Sequence, residues 1–319
     1  MNVELLIQNG NKVYSPIVQE NITWDTERKG SPGKLTFTVI KDENINFTEG
    51  NPVRLVVDGV KLFYGFVFSK KRDKQQNITV TAYDQIRYLK NKDTYVYTNK
   101  TASDFIKMIA NDYRLNLGTI EKTSYIIASR VEDNTTLIDM VQNALDLELM
   151  NKKTMYVLYD DFGKLTLKDL ERMKVGVVID EETGENFDYT SSIDAQTYNK
   201  IKLIYENEKT GKREVYIAQD SNNMNNWGIL QYYDTLQEGE NGQAKVEALL
   251  SLYNAKTRNL KISNALGNLK VRAGNMVVVN LNLGDVAVKN FMLVEKCKHV
   301  FNESEHRMEL TLKGGEFVV

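Results

Sequence analysis

Residues 259–313 read NLKISNALGNLKVRAGNMVVVNLNLGDVAVKNFMLVEKCKHVFNESEHRMELTLK, and this stretch decides the fold. Val277, Val279 and Leu281 alternate with other residues, which is the period-two signal of a strand with one buried face. The dipeptide Gly-Asn at 274–275 precedes this strand, and both residue types tolerate the positive φ that tight turns require. The stretch therefore predicts a run of β-strands separated by glycine turns.

The same pattern occurs earlier, in residues 34–82, which read KLTFTVIKDENINFTEGNPVRLVVDGVKLFYGFVFSKKRDKQQNITVTA. A Gly-Asn dipeptide at 50–51 again precedes an apolar strand, a short turn, a longer strand, a charged loop and a closing alternating strand. Leu35 and Leu260 precede their respective glycines by nearly the same number of residues. The chain is thus predicted to carry two copies of one β-module, the alternative being two unrelated meanders with glycine turns.

The repeat predicts a specific alignment of the two modules. Superposition should place Val53 on Val277, Leu55 on Val279 and Val57 on Leu281, with positive φ at Gly50 and Gly274. Because the side-chain period of a strand is two, a shift of one residue would turn these side chains from the core to solvent.

Between the modules the pattern becomes helical. Thr101 and Asp104 have capping-box spacing, and Thr136 and Asp139 repeat it ahead of a second apolar helix pattern. A hairpin follows, with a turn predicted at residues 160–163. These elements predict a small helix-plus-hairpin domain.

The predicted fold is mainly β with an α+β insert: two similar β-barrel-like modules flank the small domain. We divide the chain into a first module at residues 1–94, the insert at 95–194 and a second module at 195–319. The acidic residues 171–194 are taken as a partly extended connector that belongs to the insert. The second module is predicted to include a strand at 227–233 and a helix at 243–256.

Composition limits the possible functions. The chain has 319 residues, 42% of them hydrophobic, and a formal net charge of −2. These values give no sign of the basic surface that phosphate contacts require, so specific nucleic-acid binding is not expected. No apolar run approaches the ~20 residues of a membrane span, and the first residues lack a signal-peptide pattern. Synthesis in a cytoplasm without membrane insertion is expected.

Candidate catalytic and metal-binding residues are few. Cys297, His299 and His306 are near one another in sequence, but no further ligand or base has a spacing that would join them. The acidic residues of 180–182, with Glu238 and Glu240, fit a solvated surface better than a catalytic pair. We therefore predict no catalytic, cofactor-binding or metal-binding residues. The basic residues Lys70, Lys71, Arg72 and Lys74 are interpreted as a solvated hairpin end.

Several segments resemble a known family. They are TASDFIKMIANDYRLNLG, YVLYDDFGKLTL, TYNKIKLIYENEKTGK, AKVEALLSLYNAKTRNLKIS, VRAGNMVVVNL, FMLVEKCKHVF and MELTLKGG. Their order is similar to that of the XkdQ-like baseplate hub proteins of contractile phage tails and phage-tail-like bacteriocins. The resemblance covers most of the chain from Thr101 onward, whereas the first module is similar in layout more than in letters.

The resemblance implies a virion structural protein and no enzymatic activity. It implies a homotrimer at the baseplate of a phage or tailocin, with partners in the tail tube protein, the central spike protein and other baseplate proteins. Two modules per chain would adapt the trimer to a hexameric tube. Two alternatives remain open: a tail-associated cell-wall hydrolase in the insert, which contains no histidine or cysteine, and a carbohydrate-binding adhesin module, which would need exposed aromatic residues.

Overall fold

The protein is mainly β. The computed structural model describes residues 1–40, 44–194, 196–207, 211–236, 240–282 and 287–314. Strands account for 52% of the structure and helices for 19%. This composition agrees with the predicted fold class.

The first module contains seven strands and one short helix. The strands are β1 (Val3–Asn9), β2 (Lys12–Tyr14), β3 (Ile22–Glu27), β4 (Lys34–Val39), β5 (Pro52–Val57), β6 (Val60–Arg72) and β7 (Ile78–Tyr83). Strands β3, β4 and β7 alternate strictly between buried and half-buried residues, because one face of each covers the module core. A 3₁₀-helix, Gln85–Lys90, closes the module, and the Asp84 carboxylate caps it by accepting from Ile86 N–H.

The insert follows with helices and short sheets. Its elements are β8 (Lys92–Lys100), α1 (Ala102–Asp112), β9 (Leu117–Ile120), β10 (Ile127–Thr136), α2 (Leu137–Lys152), β11 (Tyr156–Asp160), β12 (Leu165–Asp169) and a 3₁₀-helix, Leu170–Met173. Thr101 and Asp104 form the predicted capping box of α1, and Thr136 caps α2. Phe162 and Gly163 have positive φ in the predicted hairpin turn.

Residues 171–194 differ from the prediction of a connector. They contain two strands, β13 (Lys174–Ile179) and β14 (Asn186–Ser192), and both join the large sheet. β13 pairs with the strand that follows Gly274-Asn275, and β14 pairs with the strand that contains Leu260. The prediction missed these strands because β14 is polar and largely exposed, and because β13 is a short apolar segment inside an acidic stretch.

The next segment forms a compact unit with its own core. Its elements are β15 (Lys200–Asn207), β16 (Lys212–Gln219), α3 (Ser221–Trp227), β17 (Gln231–Thr235) and α4 (Gly242–Tyr253). The predicted strand at 227–233 is therefore misplaced, because a helix ends at Trp227 and the strand begins at Gln231. Ile201, Leu203 and Val246 are buried between the three-stranded sheet and α4.

The last four strands complete the large sheet. They are β18 (Thr257–Leu266), β19 (Met276–Asn282), β20 (Ala287–Phe301) and β21 (His306–Gly314). The sheet order is β14-β18-β21-β20-β3-β4-β7-β6-β5-β1-β2, with β13 paired to β19 and β19 to β20. In the described residues this order has free ends, and no closed barrel is found.

The two modules share one strand order. The first runs β1-β5-β6-β7-β4-β3 and the second β13-β19-β20-β21-β18-β14. One difference lies in the outermost strand, since β1 is antiparallel to β5 whereas β13 is parallel to β19. β1 opens the chain, whereas β13 follows the insert and enters the sheet from the opposite end.

The predicted positive φ and burial phase are confirmed. Gly50 and Gly274 have φ of +85° and +92°. The strands that follow them bury alternate residues in the same phase, Val53, Leu55 and Val57 in β5 and Val277, Val279 and Leu281 in β19. The two copies thus present the same face to their cores. The boundaries at 94/95 and 194/195 stay predictions; β8 spans the first of them, and β13 and β14 of the second strand order precede the other.

Candidate functional site at the junction of the two modules

β20 connects the two modules. Its first half pairs with β19, and residues 296–301 pair with β3 of the first module. Phe301 is consequently buried in the core of the first module, beside Ile22. Full burial of a Phe side chain contributes roughly 1.5–3 kcal/mol, so this strand crossing binds the modules firmly together.

Arg28 and Glu295 form an ion pair at the edge of this junction. Arg28 Nε and Nη2 donate to the two carboxylate oxygens of Glu295 over 2.9 and 2.8 Å. The backbone N–H of Arg28 also donates to the Glu295 carbonyl oxygen over 2.9 Å. Glu295 lies at a bulge between β20 and β21, which turns its side chain toward the end of β3.

A stack of rings fills the interior of the junction. Trp24 of β3 lies on His299 with 5.0 Å between ring centroids, and Phe301 lies on His306 with 4.5 Å between centroids. The rings come from both modules, so their packing is part of the contact between them.

Cys297, His299 and His306 lie together, but their chemistry is that of a packed core. His299 Nε2 lies 2.8 Å from the Val271 carbonyl oxygen, which only accepts, so we assign the proton to Nε2. His299 Nδ1 then accepts from His306 Nε2 over 2.8 Å. Cys297 Sγ lies 3.2 Å from His299 Nε2.

Burial sets the protonation of this cluster. It lowers the pKa of His299 to about 3 and that of His306 to about 4. It also raises the pKa of the Cys297 thiol far above its ordinary value. The thiol and both imidazoles are therefore neutral at neutral pH, and Cys297 is not a thiolate nucleophile. No group of three or more metal ligands is found in the described ranges.

Arg272 brings both modules and the insert together. Its Nη1 donates to the Asp160 carbonyl oxygen over 2.9 Å, and its guanidinium carbon lies 4.1 Å from the centroid of the Tyr159 ring. The next residue, Ala273, donates its N–H to Thr26 Oγ1 over 3.0 Å. The loop before β19 thereby contacts β3 and the insert hairpin at once.

Two buried carboxylates lie near Arg272. Burial raises the pKa of Asp84 and of Asp160, and N–H donors at Gly33 and Gly163 oppose that shift. A pair of carboxyl groups could suggest a glycosidase. However, the cavity that borders Asp84 and Arg272 has a volume of about 10 Å³, which is room for about one water molecule and not for a sugar. This geometry is that of a structural polar cluster.

A larger cleft of about 640 Å³ lies over the junction. Its charged lining comprises Asp25, Glu27, Lys34, Arg87, Lys90, Lys261, Lys296, Lys298 and Glu309. Each of the three acids lies within 3.2 Å of a lysine, in the pairs Lys34–Asp25, Lys296–Glu27 and Lys298–Glu309.

Local sequence patterns gave no sign of Arg28, Glu295 or Arg272, because their partners are distant along the chain.

The acids Asp180, Glu181 and Glu182 lie in the short connection between β13 and β14, where Thr183 Oγ1 donates to the Asp180 carboxylate and lowers its pKa. Glu238, named with them, lies outside the described residues. No helix in the described part is long and apolar enough to cross a membrane.

Comparison with known proteins decides the family. Residues 22–313 match the YQBQ-like family. The chain is a YQBQ-like protein. Two relatives from Bacillus subtilis (strain 168) are similar over 307 residues: "Uncharacterized protein YqbQ" is 31% identical, and "Phage-like element PBSX protein XkdQ" is 28% identical. The matches cover 92% of this chain, with 91% of YqbQ and 92% of XkdQ.

Solved structures share the fold of this YQBQ-like protein. The 43 kDa tail protein of prophage MuSo2 from Shewanella oneidensis matches with a TM-score of 0.71 and 12% identity, over 97% of this chain and 98% of that one. The E. coli c3393 protein, a type VI secretion component described as similar to the T4 tail proteins gp27 and gp5, matches with a TM-score of 0.58 and 10% identity. That match covers 98% of this chain and 78% of c3393. At these identities the likeness is one of fold.

Proposed function

We propose that this YQBQ-like protein is a structural hub of a contractile phage tail or tailocin baseplate. Three copies surround one axis, and their six modules face a hexameric tail tube on one side. The other side of the trimer receives the central spike. The relative in the phage-like element PBSX and the fold shared with phage tail proteins support this role.

The duplicated module is the observation that carries the proposal. A trimer of single modules would offer three equivalent contacts to a hexamer, whereas two similar modules per chain offer six. The common strand order and the common burial phase of β5 and β19 make the modules similar enough to occupy equivalent positions. We infer a rotation of about 60° between them in the assembled ring.

The partners follow from the same geometry. The tube protein contacts the ring of six modules, and the spike protein contacts the trimer where its symmetry is threefold. The fold shared with c3393, which is described as similar to the T4 tail proteins gp27 and gp5, favours a place in a tail assembly. Other baseplate proteins contact the remaining outer surfaces.

A solution mass measurement tests the proposal. The full chain is analysed by light scattering alone and with its cognate spike protein. We expect a complex that contains three chains of 36.6 kDa. A one-to-one complex, or no complex at all with both tube and spike proteins, would contradict the hub role.

The hydrolase alternative has a separate test. Asp160, a buried carboxylate of the insert, is engaged in structural bonds: its Oδ1 accepts from Gly163 N–H and its carbonyl oxygen accepts from Arg272 Nη1. Purified protein incubated with peptidoglycan should release no soluble fragments, with lysozyme as the positive control. Any fragment release would contradict the proposed purely structural role, and its loss or survival in Asp160→Asn would show whether Asp160 takes part in the catalysis.

A further inference from the structure

The two modules have equivalent outer strands, β3 and β14. In the first module Trp24 pairs with Leu35, and in the second Tyr189 pairs with Leu260. Leu35 and Leu260 in turn pair with Ala82 of β7 and Leu312 of β21. β14 therefore occupies in the second module the place that β3 has in the first.

The other edges of these two strands differ. β3 pairs through its second edge with residues 296–301 of β20, from Lys296↔Glu27 to Phe301↔Ile22. β14 is the terminal strand of the large sheet, and in the described residues its second edge has no partner strand. An unpaired edge is a template for another strand.

A matching free edge lies on β6. β6 and β20 each have a bulge, at Phe68 and at Glu295. Val67, before the first bulge, pairs with Ala82, and Val294, before the second, pairs with Leu312, which is the equivalent of Ala82. By this alignment, residues 69–72 of β6 correspond to residues 296–299 of β20. Residues 69–72 pair with β7 on one side, and in the described chain no strand pairs with their other side.

We propose that β14 of one copy pairs antiparallel with residues 69–72 of β6 in a second copy, as β3 pairs with β20 within the chain. The register follows from the equivalence: Ser69 faces Ser192, and Arg72 faces Tyr189. This inference rests on the proposed hub function, and it names the surfaces that join one copy to the next.

Apolar side chains support this pairing. Phe187 of β14 lies just beyond the proposed pairing, opposite Lys74 in the same register, and it is 44% exposed, whereas Ile22, its equivalent in β3, is 4% exposed because it packs at the junction. The residues equivalent to the ion pair Arg28 and Glu295 are Ile193 and Phe68. The positions of a charged pair within the chain are thus occupied by two apolar residues, of which Phe68 also packs on Tyr83 and Tyr88 of its own chain.

Charge gives an independent argument for a second copy as the occupant. The end of β6 and its loop carry Lys70, Lys71, Arg72, Asp73 and Lys74, with Lys70 already paired to Glu49, whereas β14 and the turn before it carry Glu181, Glu182, Glu185 and Asp188. In the described structure, Lys71 and Asp188 form no ion pair within the chain. In the proposed register Asp188 is the diagonal neighbour of Lys71, within the reach of a long side chain. The two edges are therefore electrostatically complementary.

The pairing also allows closure. Each copy offers one β14 edge and one β6 edge, so the contact is head to tail and forms either a ring or a filament. Three copies related as in the proposed hub form a ring with three junctions within chains and three between them.

Disulfide trapping tests the register. In the existing junction the Nζ of Lys296 lies 2.9 Å from a carboxylate oxygen of Glu27, so side chains at this pair of positions face each other. We expect the full chain with Ser69→Cys and Ser192→Cys to form covalent trimers under mild oxidation, because Cα atoms of facing strand residues lie at disulfide distance. The matched control, Ser69→Cys with Ser191→Cys, puts the second thiol on the opposite face and should not cross-link. The native chain, with its buried Cys297, controls for background.

Each outcome separates the inference from the hub proposal. Covalent trimers in the first variant alone support the β14–β6 contact. A trimer by mass without that cross-link, or with equal cross-linking in the control, overturns the contact and leaves the hub intact. A chain that stays monomeric without cross-links, even with tube and spike proteins, overturns both.

A charge exchange provides a second readout. Lys71→Glu should weaken each contact between copies about fivefold, the effect of losing roughly 1 kcal/mol, and a closed trimer contains three such contacts. Asp188→Lys in the same chain should restore it, since each copy then presents the reversed pair. Unchanged association in Lys71→Glu, or no recovery in the double variant, counts against the register.

Discussion

Val294 holds in the second module the position that Val67 holds in the first. The Val67 carbonyl oxygen accepts from Gly50 N–H over 2.7 Å, and its N–H donates to the Asn51 carbonyl oxygen over 2.9 Å. Val294 makes the same two bonds with Gly274 and Asn275, each over 2.8 Å. Identical hydrogen bonds at each bulge show that the repeat extends to the backbone, not only to the hydrophobic pattern.

The two turn glycines should respond differently to substitution. Both have positive φ, so Gly→Ala introduces strain of about 1 kcal/mol at either site. A Cβ at Gly50 would meet nothing within 4 Å, whereas one at Gly274 would lie 2.6 Å from Val157 Cγ1. We expect Gly274→Ala to lower the free energy of unfolding more than Gly50→Ala in urea titrations. Val157→Ala should reduce the difference, and equal losses at both glycines would argue against the contact.

The ion pair at the junction should contribute measurably to stability. The Arg28 side chain is 9% exposed, and removing one member leaves the Glu295 carboxylate without its partner. Arg28→Ala should lower the free energy of unfolding by about 2 kcal/mol. A double-mutant cycle with Glu295→Ala isolates the coupling. Arg213→Ala, which breaks an exposed pair with Glu206, is the control and should cost less than 1 kcal/mol.

The histidine cluster should make the protein sensitive to acid. The pKa of His299 is about 3 and that of His306 about 4 in the folded chain, against about 6.5 when unfolded. Below pH 6.5 the unfolded state binds protons that the folded state does not, so stability falls as the pH falls toward 4. His299 alone gives a slope of up to about 1.4 kcal/mol per pH unit.

The measurement compares urea unfolding of the native chain with that of His306→Gln between pH 7 and 4. Glutamine can still donate to His299 Nδ1 but does not titrate. Both chains contain the same carboxylates, so the carboxylate contributions cancel when the unfolding free energies of the two chains are subtracted at each pH. The variant should show the shallower loss of stability. Parallel curves would mean that His306 is not kept neutral by the fold.

Local patterns in the sequence predict local features of this fold. The Gly-Asn dipeptides at Gly50 and Gly274 identify the repeat, because a tight turn and the strand after it depend on neighbouring residues. Phe187 and Tyr189 alternate with polar residues and are the signal that could have revealed β14. The signal was weak because this edge is exposed in the single chain.

Contacts between distant residues explain what the sequence did not reveal. The unit that contains Ile201 and Val246 lies between β14 and β18 in sequence, but it has its own core and its strands are not part of the large sheet. In that sheet β14 pairs directly with β18. Arg28 contacts Glu295, although the two residues are separated by most of the sequence. No period or spacing encodes such a pairing, because it arises only once both modules have formed.

The last prediction concerns Arg272, which joins β3, the insert hairpin and the loop before β19. Removing its guanidinium leaves the Asp160 carbonyl oxygen without a donor, Tyr159 without its stacked cation and two buried carboxyl groups without a nearby positive charge. Arg272→Ala should therefore cost about 3 kcal/mol, the scale for breaking a buried charge network. Because the lost contacts connect the insert to both modules, we expect one thermal transition for the native chain and two for Arg272→Ala, with the insert unfolding separately. Calorimetry measures this, with the exposed Arg54→Ala on β5 as the control. A single transition that moves as a whole to lower temperature would show that Arg272 stabilises the chain without coupling its parts.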